Sequence, residues 1–158
     1  MKSISAIWFE CKVRYKKTQE NGLQKKVTEQ YTVDAISFSE AERRIVEEIT
    51  PYTSGDFEIT NVKKAAYNEI FFSDRAEDDR WYKAKLQFTT INERTEKVMR
   101  ASATFLVQAA TLDGAVKNIN EVMNSTMIDY EKSNIAETRI LDVFQHQKKE
   151  SDNGNEGE

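Results

Sequence analysis

Cysteine and histidine are the side chains best suited to nucleophilic or metal chemistry near neutral pH, and the 158-residue chain has one of each, Cys11 and His146. Cys11 lies in WFECKVRY, where Phe9, Cys11, Val13 and Tyr15 alternate with Trp8, Glu10, Lys12 and Arg14. That period of two marks a half-buried strand and puts the thiol on its apolar side. There it is expected to be a small packing group, not a nucleophile. His146 begins a polar C-terminal stretch, so a Cys–His pair would need the strand inverted and the chain end folded back. Structural zinc takes about four soft ligands, which this chain does not contain. Neither GxxxxGK[ST] nor GxGxxG occurs, so the common phosphate-cradling loops are missing. The sequence therefore predicts no catalytic residue, no metal centre and no cofactor.

Carboxylates are the remaining reactive class. Asp74, Glu77, Asp78 and Asp79 crowd into SDRAEDDR, and oxygen ligands of that kind suit Mg²⁺ or Ca²⁺. A run of charge between patterned segments is more simply a solvated joint. Asp56 and Glu58 recur as Asp129 and Glu131, a symmetry that suits a shared duty at the turn into a strand. A more suggestive surface is the polar side of the strands. Lys12, Arg14, Lys16 and Lys26 point away from the apolar side in the first half of the chain, as do Lys83, Lys85 and Arg100 in the second. Trp8 and Trp81 share that side. Cations follow phosphates and flat aromatic rings stack on unpaired bases. The competing explanation is that lysines blunt an exposed sheet while each tryptophan covers a core edge.

The elements that must position these residues come in two similar sets. WFECKVRY is echoed by WYKAKLQF, with Trp8, Lys12 and Tyr15 matching Trp81, Lys85 and Phe88 at an offset of 73. YTVDAISFSEAERRI then aligns with FLVQAATLDGAVKNI at an offset of 74, and DFEITNV with DYEKSNI at 73 again. One residue gained in a hairpin and one lost after a helix account for the changes. Each half predicts a strand, a hairpin (Asn21-Gly22 in the first), a return strand and a helix. The first helix has Ser39 and Glu42 as its capping box and Ala41, Ile45 and Ile49 as its apolar stripe. The second has Asp113 as cap and Ala115, Ile119 and Met123 as stripe. Segments 57–72 and 130–145 are extended, each either one bent strand or two.

The expected fold is α+β: tandem ββαβ(β) units, antiparallel, with one helix packed on each sheet. Residues 1–146 form one domain made of repeats 5–72 and 80–146 with a joint at 73–79, and 147–158 a disordered polar tail. With 39% hydrophobic and 32% charged residues, a net charge of −4 and no long apolar run, the composition suits a cytoplasmic globular protein with no membrane span. One cysteine excludes an intramolecular disulfide.

WFECKVRY, KKVTEQYTVDAISFSEAE, EIFFSDRAEDDRWYKAK and DVFQ together resemble a domain-of-unknown-function family, number 4494, found in gut bacteria and their phages. The likeness covers residues 7–144 and implies a small protein of the phage or mobile-element gene pool. It implies no reaction and no site residues. At the level of fold, ββββα units paired with their duplicates are similar to those of Whirly and PUR-type single-strand binders. Two functions stay open. One is a non-enzymatic module holding single-stranded nucleic acid on Trp8, Lys12, Arg14, Trp81, Lys83, Lys85 and Arg100. The other is a module binding a host protein or sequestering a small nucleotide. A homodimer through exposed strand edges fits either.

Overall fold

The computed structural model describes residues 1–146; the expected tail at 147–158 lies outside them. A short strand β1 (Lys2–Ser5) leads into a long hairpin of β2 (Trp8–Thr18) and β3 (Gln24–Asp34). Its loop carries Gly22 at φ 82°, a left-handed geometry that glycine adopts without a Cβ clash. Helix α1 (Phe38–Ile49) and a 3₁₀ turn (Thr50–Tyr52) follow, then β4 (Phe57–Lys64) and β5 (Glu69–Phe72). The same order returns as β6 (Arg80–Ile91), β7 (Val98–Ala109), α2 (Leu112–Asn124), β8 (Tyr130–Glu137) and β9 (Ile140–Phe144). Each of the two extended segments is thus a pair of strands.

The helix starts differ from expectation. Ser37 caps α1, its hydroxyl accepting from Glu40 N at 3.1 Å, and the Glu40 carboxylate accepts from Ile36 N. Thr111 caps α2 through Gly114 N at 3.0 Å. In both cases the cap sits two residues earlier than Ser39 or Asp113. Phe38 and Leu112, both exposed, are the first helical residues, so the apolar stripe alone marks the start too late. The stripes themselves are buried as expected, with Ala41, Ile45 and Ile49 under α1 and Ala115, Ile119 and Met123 under α2.

The sheets are mixed and not wholly antiparallel. One has the order β4-β2-β3-β9 and the other β1-β5-β7-β6-β8. β9 lies parallel to β3, and β5 lies parallel to β7. The last strand of each half therefore joins the sheet of the other half. Four residues separate β4 from β5 and two separate β8 from β9, and across each connection the chain steps to the facing sheet. The rest of the pairing, β2 with β3 and β4, and β6 with β7 and β8, is antiparallel.

The helices form the outer layers. Phe9, Cys11, Val13 and Val33 pack beneath α1, and Phe71, Ala84, Leu86, Phe105 and Val107 beneath α2. The opposite faces of the two sheets meet each other. Trp8, Ile140 and Val143 from one sheet close on Trp81, Leu106 and Ile70 from the other, with Ala65 and Tyr67 between. A third apolar layer thus lies between sheets whose second face reads as polar along much of β2 and β6. The burial there of two tryptophans alone accounts for several kcal/mol, about 3–5 for truncating each to alanine.

Candidate nucleic-acid interface

The inter-sheet packing decides the fate of the residues expected to bind. Trp8 is 1% exposed and Trp81 3%, so neither ring can stack on a base, and that expectation is corrected. Trp8 donates its indole N–H to the Asn68 carbonyl at 3.1 Å and packs at 6.3 Å on Phe72, which also meets Trp81 edge-on. The rings seal the place where each chain half crosses into the other's sheet.

Two positions further along β2 is Glu10, 3% exposed. Its carboxylate accepts from the Tyr67 hydroxyl at 2.9 Å and pairs with Lys83 Nζ at 3.1 Å and Lys63 Nζ at 3.6 Å. Tyr67 in turn shares a hydrogen bond with Thr32 at 2.9 Å. Burial, then the Glu10 charge, pushes the Tyr67 phenol far above its ordinary range. Glu10 and Lys83 match at the same offset of 73 as the tryptophans, and the two sheets set them opposite each other with complementary charge. Lys83 is therefore committed to a buried partner in the facing sheet and is not a free surface cation. Arg14 is likewise tied to Glu58, through both Nε and Nη2.

Lys12, Lys85 and Arg100 are exposed, and no ion pair among the described residues includes them. Lys12 and Lys85 occupy like settings. Each lies at a bulge where β2 or β6 shifts register against β4 or β8. Each has its carbonyl capped by a hydroxyl, of Thr60 in one case and Ser133 in the other, and each faces an asparagine across the sheet, Asn61 or Asn134. Of the acidic cluster, Asp78 turns inward to accept from Ser73 Oγ and Asn118 Nδ2, while Asp74, Glu77 and Asp79 stay exposed. Among the described residues no three acidic, His or Cys side chains converge on a metal-sized point. Cys11 is fully buried, and burial followed by the Glu10 and Glu42 charges pushes its thiol up to about 12.

Sequence reasoning placed Lys16 and Lys26 on the outward side but missed Lys17, Lys25 and the way the far end of the first hairpin opposes these lysines. The register sets Lys16 directly opposite Lys26 and Lys17 directly opposite Lys25. All are exposed, and no ion pair among the described residues involves any of them. Like charges facing each other across two consecutive rungs destabilise a hairpin by about 0.2–1 kcal/mol per pair. The matching rungs of the second hairpin are Thr89 with Arg100 and Thr90 with Met99, so only the first hairpin is charged in this way. The signal was present as KK at 16–17 and 25–26, but pairing them needs the hairpin register.

The fold is that of an α+β protein, two mixed sheets pressed face to face between two helices, with a cationic hairpin end. The chain belongs to the family DUF4494, a domain of unknown function, whose family model matches residues 7–146. No curated protein and no solved structure matches it. No helix among the described residues is long and apolar enough to cross a membrane.

Proposed function

We propose that this chain is a non-catalytic binding module for single-stranded nucleic acid, centred on the end of the β2–β3 hairpin. The observation that carries this is the pair of opposed lysine rungs, Lys16–Lys26 and Lys17–Lys25, without acidic partners among the described residues. A polyanion converts that repulsion into attraction and releases its counterions. Lys12 extends the charge along β2, where Arg14 is already paired with Glu58, and Lys85 and Arg100 supply a second, weaker patch on the other sheet. The chain's net charge of −4 limits unspecific adhesion and leaves attraction local. The module acts in the cytoplasm, where a lone thiol needs no partner, and within the gene pool that bacteria share with phages.

The test is fluorescence anisotropy of a labelled oligothymidylate against salt. Each phosphate contact contributes about 0.7 to the slope of log affinity on log salt for a single strand. Lys16→Gln combined with Lys26→Gln lowers the slope by about 1.4 if both touch phosphate. The same substitutions raise folding stability, because they relieve like-charge repulsion. No affinity for any oligonucleotide at low salt rejects the proposal and favours a protein partner.

A further inference from the structure

Beyond the last pairing of β4 with β2, Tyr15 with Phe57, the strand edge of Lys16–Thr18 is left without a neighbour. The connection from α1 to β4 runs past that edge, and between them lies a cavity of about 660 Å³. That size falls within the roughly 300–1,000 Å³ of small-ligand sites. One wall carries Lys16, Lys17 and Lys26 beside the Arg14–Glu58 ion pair; the other brings Tyr52 and Asp56. Tyr52 is 78% exposed, and no aromatic stacking or hydrogen bond among the described residues occupies its ring or hydroxyl. It follows Pro51 in a 3₁₀ turn, where proline fixes its own φ and restricts the local backbone. The second half of the chain keeps Arg100 and Asp129 at the places of Lys26 and Asp56 but lacks the other cations and the aromatic ring. Thr89 and Thr90 replace Lys16 and Lys17, and the segment after α2, Ser125–Asp129, has no aromatic residue.

We infer that this cavity takes one nucleoside phosphate unit, with the phosphate on Lys16 and Lys26, which share one face of the hairpin, and the base against Tyr52. Cations alone would fit any phosphate. The unoccupied aromatic ring opposite them is what selects a nucleoside over inorganic phosphate, since stacking works with any base and needs no hydrogen-bond code. Tyr52 thereby takes the part that burial denies to Trp8 and Trp81. The inference rests on the binding function proposed above for its cations, and adds a defined pocket for one residue of the strand. Asp56, on the loop wall, is a hydrogen-bond acceptor for a ribose hydroxyl or an exocyclic amine.

The experiment uses the full chain with two probes, a labelled oligothymidylate and free adenosine monophosphate, against inorganic phosphate as control. Tyr52→Leu weakens oligonucleotide binding by about ten-fold or more with the salt slope unchanged, while Tyr52→Phe keeps most of the affinity. Adenosine monophosphate shifts the Tyr52 ring resonances and displaces the oligonucleotide at concentrations where inorganic phosphate does neither. Wild-type affinity in Tyr52→Leu, or equal competition by inorganic phosphate, overturns the inference while leaving the lysine rungs as a polyanion site. Adenosine monophosphate binding without oligonucleotide binding overturns the polymer function and keeps the pocket for a free nucleotide. Absence of both overturns the two together. Tyr52 is exposed, so its replacement leaves the core intact.

Discussion

Replacing Glu10 tests whether the two sheets are held in register by charge. In Glu10→Ala the Tyr67 hydroxyl keeps Thr32 as a partner at 2.9 Å, and Lys83, whose side chain is 38% exposed, can turn to water. The loss is then the charged hydrogen bond from Tyr67, worth about 1.5–3 kcal/mol, plus the space left between the sheets. Together these give a cost of about 3 kcal/mol, below the upper end of the roughly 3–5 expected when a buried pair is broken. Lys83→Met leaves the buried carboxylate with Tyr67 and with Lys63, itself 59% exposed, so a smaller cost of about 1–2 kcal/mol is expected. The double variant costs less than the sum of the singles, because residues in contact are not additive. Urea unfolding followed by tryptophan fluorescence is the assay, since Trp8 and Trp81 flank the site and are both buried. For a chain of this size, 3 kcal/mol lowers the thermal midpoint by about 6–12 °C. A Glu10→Ala protein within about 0.5 kcal/mol of wild type, the range of an ordinary surface change, refutes the account, as does strict additivity with Lys83→Met.

Two further outcomes follow from the same packing. The Cys11 thiol is held at about 12 against an ordinary 9.0, and the Tyr15 hydroxyl at about 12 against 10.0. Both are raised, so their contribution is intact below pH 9 and is lost between pH 9 and 12, where the unfolded chain ionises and the folded one does not. Urea midpoints should fall across that range, and Cys11→Ala should shallow the fall; a rise, or an identical slope in the variant, counts against the burial of the thiol. Separately, residues 1–76 expressed alone lack β9 and leave β5 without its sheet. They should show no cooperative monomeric fold by circular dichroism and size exclusion, and a stable monomer would mean that the crossed strands are dispensable.

How far the sequence could be followed is clearest from single residues. Phe9, Cys11 and Val13 could be assigned to one face by their alternation, and the helix stripes by their spacing, because period and burial are local consequences of backbone geometry. The other face was harder. Trp8, Glu10, Lys12 and Arg14 read as one outward row, yet the first two are buried and the last two are not. The clue lay in apolar residues at outward positions elsewhere, Leu106 between Gln108 and Thr104, and Ile140 and Val143 in the last strand. Those residues need a partner, and a strand pattern cannot say whether that partner is solvent-shielding lysine stems or a second sheet.

The amino-acid order settled which segments are strands and helices, which side of each faces its helix, and where the cations sit along the chain. Tertiary structure alone decided that EIFF and ILDVF each cross to the other half's sheet, since a short apolar run marks a strand without naming the edge it pairs with. It also decided that Lys16 stands opposite Lys26 and Lys17 opposite Lys25, because a hairpin's register depends on a loop geometry that brings distant charges together only once the chain has folded.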